Sequence, residues 1–190
     1  MAGGEMTAEE ARKRLAAGES PGTVCGELAV GRTRWWEAAL VVGRALGLSE
    51  AEPARRVSRD PDAAQAELRP GEEDLYGDLL ERIGAFDVPE ELDERAQAVM
   101  EHLRAALDAM GGIGSGHGAG LSRRFVRGET VSAFLTLVRF GPRTGRGRPR
   151  EFWAALVTAG ELLDPADGDG RGTVAEALHT CRARLAQCAC

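Results

Sequence analysis

Aromatic side chains are scarce in this chain: Phe, Trp and Tyr together make up 5% of its 190 residues. That leaves few rings to stack on splayed bases, the usual grip on single-stranded nucleic acid. β-branched residues are thin too, while Ala, Leu, Arg and Glu dominate; the mixture favours helix and argues against sheet. No apolar run reaches the roughly 18 residues of a membrane span, so no membrane partner is expected. The opening residues 1–7 have neither the basic region nor the apolar core of a secretory leader. Four cysteines without an export signal are expected to be reduced thiols in the cytoplasm. Histidine occurs three times and never in a recognisable acid/base setting. No pair of carboxylates is set apart for a shifted pKa, so the expectation is a protein that is not an enzyme and needs no cofactor.

What is present suits a folded protein. Apolar residues make up 43% of the chain, enough for one large helical domain or two small ones, each with a core. The net charge of −6 speaks against a generic nucleic-acid coat. Its distribution is uneven. Residues 60–110 hold four Arg against fifteen Asp and Glu, a net of −11, whereas residues 121–150 hold eight Arg against one Glu, a net of +7. The two segments can attract each other within one molecule, or the basic one can meet an acidic partner.

Local signals predict a succession of helices. Thr7-Ala-Glu-Glu10 fits a capping box opening a first helix that stops at Gly18. Ser20-Pro21 restarts a second, with proline in the first turn and Val24, Cys25, Leu28 and Ala29 inward. Gly31 breaks it before a third, 33–46, and a short piece follows at 50–57. Residues 59–71 carry two prolines, Pro61 and Pro70, and are the best linker candidate. Beyond it come a helix at 72–83 and an amphipathic one whose apolar positions Leu92, Ala96, Val99, Leu103, Leu107 and Met110 step by three and four. The ten residues 111–120 hold six glycines and are expected to form a flexible connector. Helices at 121–127 and 129–140 split at Gly128, then 150–163 and 173–187 complete the chain. No strand survives; 131–140 comes nearest, but its length and Ala133 and Leu135 favour helix. The fold class expected is all-α, an array of about seven to nine helices in two parts, 1–58 and 71–190.

Residues 15–48 carry a local design. Leu15-x-x-Gly18-x-Ser20 leads in, Cys25 takes a small buried position, Ala29-Val30-Gly31 forms a tight turn, and Trp35 sits where a following helix plugs the core. This stretch, about a fifth of the chain, resembles a helix-turn-helix DNA-binding module. The resemblance implies that Arg32, Thr33, Trp36, Glu37 and Leu40 face the major groove, with Arg32, Thr33 and Arg34 the residues on DNA. Composition on that face points elsewhere. Base readout uses Arg, Asn and Gln, whereas Trp36 and Leu40 are apolar and Glu37 is repelled by phosphate. The third helix is apolar on nearly every side, which predicts burial in its own core or against a partner.

The remaining motifs carry less chemistry. Ser115 and His117 lie in the glycine run, but no Gly-Lys-Ser/Thr ending makes it a phosphate loop and no flanking glycine pattern makes it a nucleophile elbow. His102 and Glu101 lie beside the apolar stripe of the amphipathic helix and are expected to be solvated. His179, Cys181, Cys188 and Cys190 crowd one end, yet only Cys188-Ala-Cys190 offers close ligand spacing, so no metal site is expected. Arg123, Arg124, Arg127, Arg139, Arg143, Arg146, Arg148 and Arg150 form a basic patch whose Gly/Pro-rich part, 141–149, suits an acidic protein. Segment 123–163, with Arg-Arg-Phe-Val-Arg-Gly-Glu-Thr at its start and Glu-Phe-Trp-Ala-Ala-Leu near its end, resembles small helical bacterial immunity proteins. That resemblance implies a role in binding a protein.

These observations lead to a non-catalytic helical interaction or regulatory protein. Trp36, Leu40, Arg143, Arg146 and Arg148 are the expected contacts to a protein partner or a second copy. The alternative is a transcriptional regulator holding duplex DNA through the helix-turn-helix-like segment.

Overall fold

The computed structural model describes residues 7–29, 35–48, 72–111, 113, 115–142, 147–163 and 171–188, without the side chains of 36, 72–76, 115–116 and 171–172. The fold is all-α. Among the described residues there are nine helices and no strand: α1 (Ala8–Ala16), α2 (Pro21–Leu28), α3 (Trp35–Ala45), α4 (Glu72–Arg82), α5 (Glu94–Ala109), α6 (Ser115–Val126), α7 (Thr130–Phe140), α8 (Pro149–Leu163) and α9 (Arg171–Gln187). The expected helix at 50–57 and linker at 59–71 lie outside them.

Local chemistry sets several of the helix ends. The Glu10 amide donates to Thr7 Oγ1 at 3.2 Å, which gives α1 its N-cap. Pro21 stands at the start of α2, where an amide hydrogen would have no partner. Asp93 caps α5 by accepting from the Ala96 amide at 2.8 Å. The break between α6 and α7 falls at Gly128, whose φ of +63° ends the helical path.

The chain forms two compact units. The first comprises Met1–Asp87 and Ile113–Val126, the second Val88–Gly112 and Arg127–Cys190. Thus α4 and α6, expected in the part 71–190, join α1–α3. The first unit's core is built from Val24, Cys25, Leu28, Trp35, Ala38, Ala39, Val42, Leu79, Leu80, Ile83, Phe86, Leu121 and Phe125, all at most 7% exposed. Phe86 and Phe125 meet edge to face, centroids 5.6 Å apart. Ser122 is fully buried and donates to the Ala85 carbonyl at 3.0 Å, so its hydroxyl is satisfied. On the unit's outer side the Arg14 guanidinium forks onto Glu19 and also reaches Glu27, linking α1, the following turn and α2.

The glycine run corrects one expectation. From Ser115 onward it is the first half of α6, not a flexible connector. The reason is tertiary. A Cβ on Gly118 would lie 3.1 Å from Leu80 Cδ1 and 3.2 Å from Ile113 Cγ2, so bare backbone lets α6 close on α4. Burial gained there offsets glycine's poor helix propensity of about 1 kcal/mol per residue.

The second unit packs α5, α7, α8 and α9. Its core is Val99, Met100, Leu103, Ala106, Leu107, Ala133, Phe134, Leu137, Phe152, Leu156, Ala159, Leu178 and Cys181, each at most 2% exposed. A Cβ on Gly160 would lie 2.9 Å from Leu178 Cδ1 and 3.0 Å from Phe134 Cζ, so α8 meets α7 and α9 there at backbone distance. The Arg148 amide donates to the Ala109 carbonyl at 2.8 Å and pins the approach to α8 against the end of α5. Arg95 Nε donates to the Leu162 carbonyl at 2.8 Å, and Arg182 pairs with Glu161 at 2.9 Å.

Candidate interaction surface

The helix-turn-helix-like stretch places α2 and α3 against each other, with the turn between them outside the described residues. Trp35 fills the core, 3% exposed, beside Gly26. The exposed Arg123 guanidinium lies 5.4 Å from the Trp35 ring centroid, within cation–π range. Arg32, Thr33, Arg34 and the Trp36 side chain lie outside the described residues. Leu40 is 7% exposed, which corrects its assignment to an outward face. Helix α3 packs on α1, α2 and α4 at once, and that arc is wide enough to cover Leu40 along with Ala38, Ala39 and Val42. Nor is α3 buried all round. Glu37 and Val41 are half-buried, Arg44 is exposed, and Leu46 just past the helix is 41% exposed.

The four thiols divide by environment. Cys25 and Cys181 are fully buried; burial pushes Cys25 up to about 12 and Cys181 up to about 11. Both stay protonated at neutral pH, the inert state toward electrophiles and soft metals. Cys188, two turns beyond Cys181 and just past the end of α9, is half-buried, His179 points to solvent, and Cys190 lies outside the described residues. His102 is half-buried and Glu101 exposed. Among the described residues no three metal-ligating side chains gather, and no helix is long and apolar enough to cross a membrane.

The basic patch is spread out. Arg124, part-buried, donates to the Gly120 carbonyl at 2.7 Å. Arg127 faces Glu129 at 3.7 Å, and Arg148 pairs with Glu151. Arg139 and Arg150 are exposed with no ion-pair partner among the described residues. Arg143 and Arg146 lie outside them. The Trp153 ring comes within 3.6 Å of where a Cβ on Gly141 would be, so the first turn of α8 abuts the end of α7. Arg139, Arg148 and Arg150 therefore share one end of the second unit.

A feature that the sequence reading missed lies on α7 itself. Ala133, Phe134 and Leu137 are fully buried, yet the helix carries a second apolar set at Val131, Leu135 and Val138, steps of four and three. Val131 is 41% exposed, and Leu135 and Val138 are half-buried. Ser132 and Arg139 border this stripe on the solvent side. The signal was in the sequence: two interleaved helical stripes within 131–138, of which one faces the core and the other stays only partly covered. Comparison with family models, with curated proteins and with solved structures finds no match for the chain.

Proposed function

We propose that the chain is a non-catalytic helical interaction or regulatory protein that holds a protein partner on the outer stripe of α7. The observation that carries this reading is the apolar row Val131, Leu135, Val138 left partly uncovered on a helix whose other side is fully buried. Apolar side chains in a contiguous row are what a partner helix or strand buries, at about 25 cal/mol per Å2 of area removed from water. The cell interior is the setting this reading assumes for the chain and its partner.

A photo-crosslinking amino acid at position 131 tests it, with exposed Ala105 of α5 as the control position. In native extract the reading expects one adduct of defined mass from position 131, lost when Leu135 and Val138 are both changed to Asp. An adduct of twice the chain's own mass identifies a second copy as the partner. The same adduct from position 105, or none from 131, would count against the stripe. Retardation of mixed duplex DNA at low salt, falling steeply as salt rises, would favour the DNA-binding alternative instead.

A further inference from the structure

The structure carries a second clue about what lies on α7. At the helix's C-terminal end the apolar stripe runs into a basic pole: Arg139 in the last turn and Arg150 in the abutting first turn of α8, both exposed and without ion-pair partners among the described residues. Arg148 lies in the same place but already holds Glu151. We infer that the occupant of the stripe is an acidic amphipathic helix, with apolar residues spaced i, i+4, i+7 on one side and carboxylates meeting Arg139 and Arg150. The inference rests on the proposed α7 site and adds the chemistry of its partner.

Three observations select this occupant. The spacing of Val131, Leu135 and Val138 is that of a helix surface, and ridges of this kind pack into the grooves of another helix. Guanidinium groups favour carboxylates, which they hold through paired hydrogen bonds. A second copy paired in parallel would set basic pole against basic pole, which like-charge contact disfavours. Steering by the two arginines also speeds encounter with an acidic partner more than it adds to affinity.

The test uses the full chain and two synthetic helical peptides that share the same three leucines at i, i+4 and i+7. One carries Glu on its flanks and the other carries Lys. Binding is followed by fluorescence anisotropy. The acidic peptide is expected to bind and the basic one to bind about tenfold more weakly, the sum of two exposed charge contacts turned from attraction to repulsion. In the Arg139→Glu, Arg150→Glu variant that preference should reverse, a rescue that loss of folding cannot produce. Both residues are exposed, so the variant's thermal midpoint should stay that of the parent. Equal binding of the two peptides, a preference unaltered by the charge reversal, or no binding of either would overturn the inference. The last result beside a specific crosslink at position 131 would leave the α7 site standing and dismiss only its acidic occupant; peptide binding unchanged by Leu135→Asp would instead remove the site itself.

Discussion

Gly160 offers the sharpest test of how the second unit is packed. In an α-helix alanine is worth about 1 kcal/mol over glycine, so propensity alone predicts that Gly160→Ala stabilises the protein. Its surroundings predict the reverse. The added methyl would stand 2.9 Å from Leu178 Cδ1 and 3.0 Å from Phe134 Cζ. Those contacts are about half an ångström or more inside the optimum for two carbons. Phe134 is 0% exposed and Leu178 2%, so neither can swing into solvent to relieve them. Overpacking of this sort costs typically 1–3 kcal/mol. Set against the propensity gain, the net should be a loss of about 1 kcal/mol, read in thermal unfolding as a midpoint lower by about 3 °C for a chain of this length. A double-mutant cycle makes the cause specific. Phe134→Leu removes the ring atoms that the methyl meets and leaves Leu178 room to shift toward the space vacated; by itself it should cost roughly 1–2 kcal/mol through the cavity it leaves. Combined with Gly160→Ala it should cost less than the sum of the two, because the methyl then fills part of that space. A higher midpoint for Gly160→Ala, or strict additivity in the cycle, would refute this account of the α7–α8–α9 junction.

Two other measurements probe the first unit and the thiols. Arg14, held by Glu19 through side-chain hydrogen bonds, lowers the Glu19 carboxyl below its ordinary value of 4.5. A carboxylate depressed in the folded state contributes stability that is fully present above its unfolded value and lost as pH falls through the folded one. Unfolding stability should therefore decline in acid below about pH 4.5, and Glu19→Gln should flatten that part of the curve; an unchanged acid limb would deny Glu19 this role. Thiol labelling with maleimide at neutral pH should modify Cys188 ahead of Cys25 and Cys181, which wait on unfolding because both are fully buried and burial raises them to about 12 and about 11. Rapid labelling of Cys25 in the folded protein would contradict its burial.

What could be read from the sequence was local. Thr7 and Pro21 announce helix starts because capping chemistry is settled within a few residues, and Gly128 announces a stop for the same reason. The stepping of Val99, Leu103 and Leu107 announces α5, because one buried face imposes its own period. What stayed hidden depends on distant partners. Glycines from 115 onward look like a connector until Leu80 and Ile113 are seen lying against Gly118. Leu40 looks outward by analogy with a DNA-reading helix, yet α3 is packed by three neighbours and encloses it. The two stripes of α7 are both visible in residues 131–138, but nothing local says which one α5, α8 and α9 will cover. The same holds for the units: the proline-rich stretch suggested a cut at 59–71, whereas α4 is drawn to α3 and α6 by contacts far along the chain.

The route of the chain has a consequence for how it comes into being. The backbone passes from the first unit to the second after Asp87, returns at Ile113, and leaves again after Val126. During synthesis the first unit therefore cannot close until α6 has left the ribosome, because Phe125 and Ser122 have their partners at Phe86 and Ala85. By then α5, which belongs to the second unit, has already emerged with its buried face bare. The nascent protein must carry that apolar stripe, Val99 to Leu107, through the whole time that α7, α8 and α9 take to follow. A chain halted after residue 112 would hold two unfinished cores at once.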